Sequence, residues 1–300
     1  MVESTFQNKQ TCITDRTCES FMSCNEEKKL LLVKKGYPIK ECTKCGHRFT
    51  ELKNVENHLA EVYSDEYFFE GKDGYPNYMK EKDLLYQSGI NYARVLSKYT
   101  KPGDVLDVGC AAGFILKGLE TAGWRCHGVE PNESMAAYGR NELKLDIRTS
   151  GLEEYQANKQ FDLINMIQVI GSLYDLDKAL ETVSKLTKKS GLVMVESWDM
   201  NSFAARMLGQ YWHEYCPPSV ITWFSDKTLT QLFKQYGFEL VDIGRPVKKI
   251  NINHGISLID ESFPKFIFKK PILNFFSRFI GRYNVRYPAV DLKWYLFKKL

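Results

Sequence analysis

From residue 105 onward, short apolar runs alternate with amphipathic stretches. Residues 105–108 predict a strand and 113–122 a helix, then 126–130 a second strand and 133–143 a second helix. Residues 145–149 predict a third strand, 161–169 a buried fourth and 192–197 a fifth. Before the fifth, Ala179, Leu180, Val183 and Leu186 share one face of a helix over 176–189, and Gly191 is placed to end it after a lysine-rich last turn. Residues 226–236 predict a further helix, with Gly237 leading into a strand over 238–243. Upstream, Leu84, Leu85, Ser88, Tyr92, Val95 and Leu96 recur at helical spacing before the turn Lys101-Pro102-Gly103-Asp104. Strands alternating with helices in this way imply βαβ units, an α/β fold class and a mostly parallel sheet.

The chain has 300 residues, enough for one large domain and a small one. Its net charge of +4 is too small to argue for a nucleic-acid partner, although 12 Lys or Arg against 3 Asp or Glu from Arg245 to Leu300 make the tail basic. No apolar run approaches the ~20 residues of a transmembrane helix, and the polar N-terminus MVESTFQNKQ is not a secretory signal. Both point to a cytoplasmic protein with reduced thiols. Five of the eight cysteines nevertheless fall before position 46, which is unusual for cysteines that merely fill a core.

The segment Val105-Leu-Asp-Val-Gly-Cys-Ala-Ala-Gly-Phe-Ile-Leu116 runs a buried strand into a small-residue loop that opens a helix. Small residues let backbone N–H groups approach a ligand closely. Glu130 ends the next strand, where a carboxylate accepts ribose hydroxyls. A dinucleotide site would want a third glycine at position 114, which is Phe, and Asp107 inside the strand end suits a cationic ligand better than a pyrophosphate.

VLDVGCAAGFIL resembles the first motif of class I S-adenosylmethionine-dependent methyltransferases, and GVEPNES the second. FDLINMIQVIGSLYDLDKAL resembles the fourth-strand motif and KKSGLVMVES the turn and fifth strand. YFFEGKDGYPNYMKEKDLL, SGLEEY and PPSVITWFSDKTLTQLFKQYGFEL resemble one subgroup, often found with a cysteine-rich N-terminus. The resemblance covers roughly residues 20–245 and the last ten. It implies a Rossmann-like, mostly parallel seven-stranded sheet with helices on both faces, closed by an antiparallel strand over 289–300 beside residues 238–243. It further implies that Asp107, Gly109, Cys110, Ala111 and Gly113 line the methionine end of the cofactor and that Glu130 holds the ribose. Gly151 and Leu152 would approach the adenine, with Met166, Ile167 and Gln168 beneath it. Residues 61–100 would form a lid and lead-in helix, with Tyr75 and Tyr78 facing cofactor or acceptor or else packed on the sheet.

Methyl transfer to oxygen or nitrogen usually needs a base. Related enzymes often carry Glu-His after the fourth strand, where Gly171-Ser172 stand here, and a His where Val220 stands. The remaining catalytic candidates are His213 and Glu214, in a loop at the carboxyl end of the sheet; the competing reading makes His213 a plain loop residue.

Cys42-Thr-Lys-Cys45-Gly-His has the spacing of a metal knuckle, and Cys18 with Cys24 supplies a second pair. Residues 1–60 are thus expected to form a zinc-ribbon-like module with a structural zinc, the alternative being a ribbon that packs without metal. A basic, aromatic insertion at 251–288 separates the core, 101–250, from the last strand. Its residues 263–282 suit an anionic membrane surface, a cap over the pocket or a dimer contact. The expected activity is methyl transfer from S-adenosylmethionine to a small or carrier-linked acceptor, a sugar or secondary-metabolite precursor among them. The rivals are a non-catalytic binding module and an NAD-dependent oxidoreductase.

Overall fold

The computed structural model describes residues 27–52, 58, 62–69, 77–247, 249–251, 284–286 and 290–300. Cys18 and Cys24, Tyr75 and the segment 263–282 lie outside the described residues.

The strands of the main sheet are β4 (Asp104–Val108), β5 (Arg125–Glu130), β6 (Asp146–Thr149), β7 (Phe161–Ile167), β8 (Thr187–Trp198), β10 (Phe238–Gly244) and β13 (Leu292–Lys299). They lie in the order β10-β13-β8-β7-β4-β5-β6. The strands from β8 through β6 run parallel, and β13 pairs antiparallel with both β8 and β10. The last strand therefore sits inside the sheet, between two partners. The helices are α1 (Asp65–Phe69), α2 (Lys82–Leu96), α3 (Phe114–Thr121), α4 (Glu133–Asn141), α5 (Leu176–Leu186), α6 (Phe203–Leu208) and α7 (Asp226–Gln235).

Period-two alternation along the strands divides the core. Val105, Leu163, Met194 and Leu296 face α2 and α3, together with Tyr92, Leu96, Leu116 and Leu119. Leu106, Ile164, Val195 and Phe297 face α5 and α7 on the opposite side. Asp175 caps α5 by accepting the Lys178 N–H, and Leu176, Ala179, Leu180, Val183 and Leu186 then bury one stripe. Helices α2 and α3 cross through Gly89 and Gly118, where an added Cβ would collide with the Ile115 and Tyr86 carbonyl oxygens.

Two expectations need correction. The helix before the fifth strand ends at Leu186, and β8 begins at once with Thr187. Gly191 therefore lies inside β8 and does not cap α5, and Ser190 takes the left-handed conformation, at φ 61°.

The cysteine-rich region contributes β1 (Lys28–Lys34), β2 (Tyr37–Cys42) and β3 (Arg48–Thr50), which pair antiparallel. The short strand β9 (Thr222–Trp223) extends this second sheet through the pairs Arg48–Trp223 and Phe49–Thr222. A separate two-stranded sheet pairs β11 (Lys249–Asn251) antiparallel with β12 (Asn284–Arg286).

Candidate active site

Strand β4 has β5 on one side and β7 on the other, so the order in which strands are added to the sheet reverses there, leaving a crevice at the carboxyl ends. Crevices at such switch points receive ligands in α/β proteins. A cavity of about 300 Å³ opens there.

The loop after β4 is shaped by left-handed residues: Gly109 at φ 63°, Ala111 at φ 48° and Gly113 at φ 82°. A side chain on Gly109 would meet Val169 as well as backbone strain. The loop is locked to the next strand. Gly109 and Cys110 N–H donate to the Val129 carbonyl at 2.8 and 3.2 Å. Glu130 is buried and accepts the Ala111 N–H at one oxygen and the Asn132 N–H at the other, each at 2.8 Å. Asp107 accepts from the Asn165 side chain at 2.6 Å. Burial pushes the Glu130 carboxyl up to about 7 against those two amide bonds. Burial also lifts Asp107 to about 7, with the Asn165 bond opposing and Glu130 adding to the rise. Burial raises the Cys110 thiol as well, consistent with an inert packing residue.

Two carboxylates held partly neutral in one cavity are poised for a ligand that brings positive charge and hydroxyl donors. A sulfonium nucleoside with an ammonium group has that chemistry, so the donor set fits S-adenosylmethionine. Asp107, Gly109, Cys110, Ala111 and Glu130 all line the cavity, and so do Gly151, Leu152, Ile167, Gln168 and Tyr78. Two expected residues do not. Met166 is in the core with Leu106 and Val195, because alternation along β7 turns it away from the side that Ile167 presents. Gly113 is the N-cap of α3, packed near Leu145 and Ile147, so its part is to shape the turn.

His213 and Glu214 also line the cavity, with His213 Nε2 at 3.4 Å from Glu214 Oε1. The His213 ring stands edge-on to Trp198, 4.7 Å between centroids. Val220 and Ser172, at the two departures from the family pattern, line the same space.

Several residues of the site were not legible in the sequence. Tyr63, just before α1, and Tyr67, within it, line the cavity. Tyr63 donates its hydroxyl to the Ser219 carbonyl at 2.6 Å, and its own carbonyl accepts from the Asn132 side chain at 2.9 Å. Asp65 is bonded to Asn132 and Ser134, so α1 is clipped to the N-terminus of α4. Tyr92 donates to the fully buried Glu196 at 2.6 Å, and Gln168 Nε2 donates to the other oxygen at 2.8 Å. Gln168 does so from a left-handed backbone, at φ 58°. Burial pushes Glu153, which also lines the cavity, up to about 7.

Cys42 and Cys45 are buried at the turn between β2 and β3, with the Cys45 N–H directed at the Cys42 sulfur at 3.5 Å. Both belong to the core cluster that contains Phe224. Among the described residues no group of three or more His, Cys, Asp or Glu is arranged to hold a metal, and no helix is long and apolar enough to cross a membrane.

Comparison with known proteins agrees with this geometry. The ubiquinone biosynthesis O-methyltransferase of Bradyrhizobium diazoefficiens is 28% identical over 138 residues, covering 43% of this chain and 54% of that protein. The chain thus spans about half the length of the curated relatives it matches. The fold is shared with the magnesium protoporphyrin IX methyltransferase of Synechocystis, with a TM-score of 0.52 at 12% identity over 80% of this chain and 100% of that one. It is shared too with the Burkholderia thailandensis 1,6-didemethyltoxoflavin-N1-methyltransferase, with a TM-score of 0.52 at 13% identity over 91% and 99%. The family described as "Methyltransferase domain" matches residues 82–243. That span contains the carboxylates, the left-handed loop and the His213–Glu214 pair, and the chain belongs to this family of S-adenosylmethionine-dependent methyltransferases.

Proposed function

We propose that this enzyme methylates a hydroxyl group of a small acceptor that carries no anion into the cavity. One observation carries the reading. The described cavity wall presents five carboxylates, from Glu81, Asp107, Glu130, Glu153 and Glu214, and no Lys or Arg. A phosphate or carboxylate brought into such a space would lose its hydration and meet like charge. Tyr63, Tyr67 and Trp198 offer ring faces to an apolar or sugar-like acceptor face. A carrier group, if the acceptor has one, would stay outside. The relatives' name favours oxygen as the accepting atom.

S-adenosylmethionine supplies a methyl group already activated on a sulfonium. Asp107 and Glu130 would hold it by charge and hydroxyl contacts. The backbone of the loop 109–111 would approach it, and Gly151 with Leu152 would border its base. What the protein must add is alignment and a proton acceptor. The His213–Glu214 pair, mostly buried beside Trp198 on the cavity wall, is the group assigned to take the acceptor proton.

The test is methyl-labelled S-adenosylmethionine with matched acceptors: neutral hydroxylated rings and their phosphorylated or carboxylated counterparts. Label on the neutral members supports the reading. Label confined to the anionic members overturns it. Tight cofactor binding without label on any acceptor or in cell extract would favour a non-catalytic binding protein.

A further inference from the structure

Each ring nitrogen of His213 faces a different carboxylate. Nε2 lies 3.4 Å from Glu214 Oε1, and Nδ1 lies 4.0 Å from Asp291 Oδ2. Asp291 directly precedes β13 and is 1% exposed. It is held in place from two sides. Its Oδ2 accepts the Trp212 indole N–H at 3.0 Å, and its backbone carbonyl accepts the Asp199 N–H at 2.7 Å. Trp198 and Trp212 stand edge-on to the His213 ring, at 4.7 and 6.1 Å between centroids. Glu214 lines the cavity, whereas Asp291 does not.

We propose that Asp291 is a positioning residue for His213, keeping a proton on Nδ1 so that Nε2 is the nitrogen that exchanges protons with Glu214 and the acceptor. The inference rests on the reading of His213 and Glu214 as the proton-accepting pair. Its physical basis is simple. An ionised carboxylate only accepts hydrogen bonds, so it favours the tautomer that points N–H at it. Glu214 pulls the other way from Nε2, but it stands on the cavity wall, whereas the Asp291 carboxylate is buried, where a charge acts with less screening. With Nδ1 occupied, the acceptor's O–H proton has one destination on the ring. The acceptor oxygen then bonds to the methyl carbon as the sulfur–methyl bond breaks, its electron pair staying on sulfur. Carboxylates that orient a histidine are a general device of acid–base catalysis, and amide replacement disables them by reversing the tautomer.

The experiment is nuclear magnetic resonance of the full chain with isotope-labelled histidine nitrogens, bound to S-adenosylhomocysteine. There are five histidines, and His213→Gln identifies the relevant signals. At about pH 8, above the usual histidine range, the wild-type ring should carry its proton on Nδ1. The same oxygen, Oδ2, faces both Trp212 and Nδ1, so Asp291→Leu is the variant: Nδ1 loses its carboxylate while Glu214 stays beside Nε2, and the proton should move to Nε2. S-adenosylhomocysteine affinity, by calorimetry, should stay within about twofold, and methyl transfer to cell-extract acceptors should fall by roughly a hundredfold or more, the low end of what a positioned base contributes. A wild-type ring protonated on Nε2 overturns the inference even if the variant does not fold. A tautomer unchanged by Asp291→Leu overturns it too. Full methyl transfer by His213→Gln would instead overturn the base assignment and leave the tautomer result standing.

Discussion

Asn165 donates to Asp107 across 2.6 Å, yet that bond does not keep Asp107 in the ordinary carboxylate range. Burial outweighs it and lifts the carboxyl to about 7, with Glu130 close enough to add to the rise. Glu130 reaches about 7 for the same leading reason. A bound cation favours the ionised forms and lowers both values. Cofactor affinity should therefore increase as pH rises through about 7 and weaken below it, with protons released on binding. Calorimetry in two buffers of different ionisation enthalpy measures that release. Affinity that is flat across neutral pH in both buffers would contradict the assignment.

The same carboxylates shape stability. Their folded-state values lie above those of an unfolded chain, so the folded form binds protons more tightly. Their contribution is favourable at acid pH and is lost as pH rises from the usual carboxylate range through about 7. Asp107→Asn with Glu130→Gln should raise the thermal midpoint of the ligand-free protein at about pH 8, where two buried charges are removed. It should weaken S-adenosylmethionine binding by at least about a hundredfold, roughly 3 kcal/mol. A double variant that binds like the parent would refute the carboxylate-based site.

Gly89 and Gly118 allow α2 and α3 to touch backbone to backbone. A methyl group at either position has no flexible neighbour to displace. Gly118→Ala should cost about 1–3 kcal/mol, the usual penalty for overpacking, despite the better helix propensity of alanine. Denaturant unfolding gives the value directly, and a neutral or stabilising result would show that the two helices can part.

Tyr63 secures the segment over the cavity through its bond to the Ser219 carbonyl. Tyr63→Phe keeps the ring and removes that bond, worth ~1 kcal/mol net. Release of S-adenosylhomocysteine should quicken by roughly fivefold, which is what such a loss converts to. Stopped-flow displacement would read it, and an unchanged rate would mean that residues 62–69 do not gate the cofactor.

Much of the framework is written locally. The βα alternation, the small-residue loop after Asp107 and the acid at Glu130 depend on short-range spacing, which a single sequence displays. Met166 shows the limit, because which of two neighbouring strand residues faces the ligand is set by pairing register. The helix end at Leu186 shows another: Lys188 and Lys189 look like a last helical turn, but both continue in β8. The acceptor side was harder still. Tyr63 meets Ser219 across 156 positions and Tyr92 meets Glu196 across 104. Nothing local marks those partners, which find each other only once the sheet is complete.

The placement of β13 has a consequence for how the molecule comes into being. Because this strand lies between β8 and β10, translation must reach residues 292–299 before either neighbour can be covered on that side. A nascent chain that has already emitted the cofactor loop still exposes an open β8 edge. Asp291 directly precedes β13, so His213 gains its second carboxylate only after the other strands of the main sheet have been made. The carboxylates beside the cofactor loop are thus made well before the one that completes the surroundings of His213.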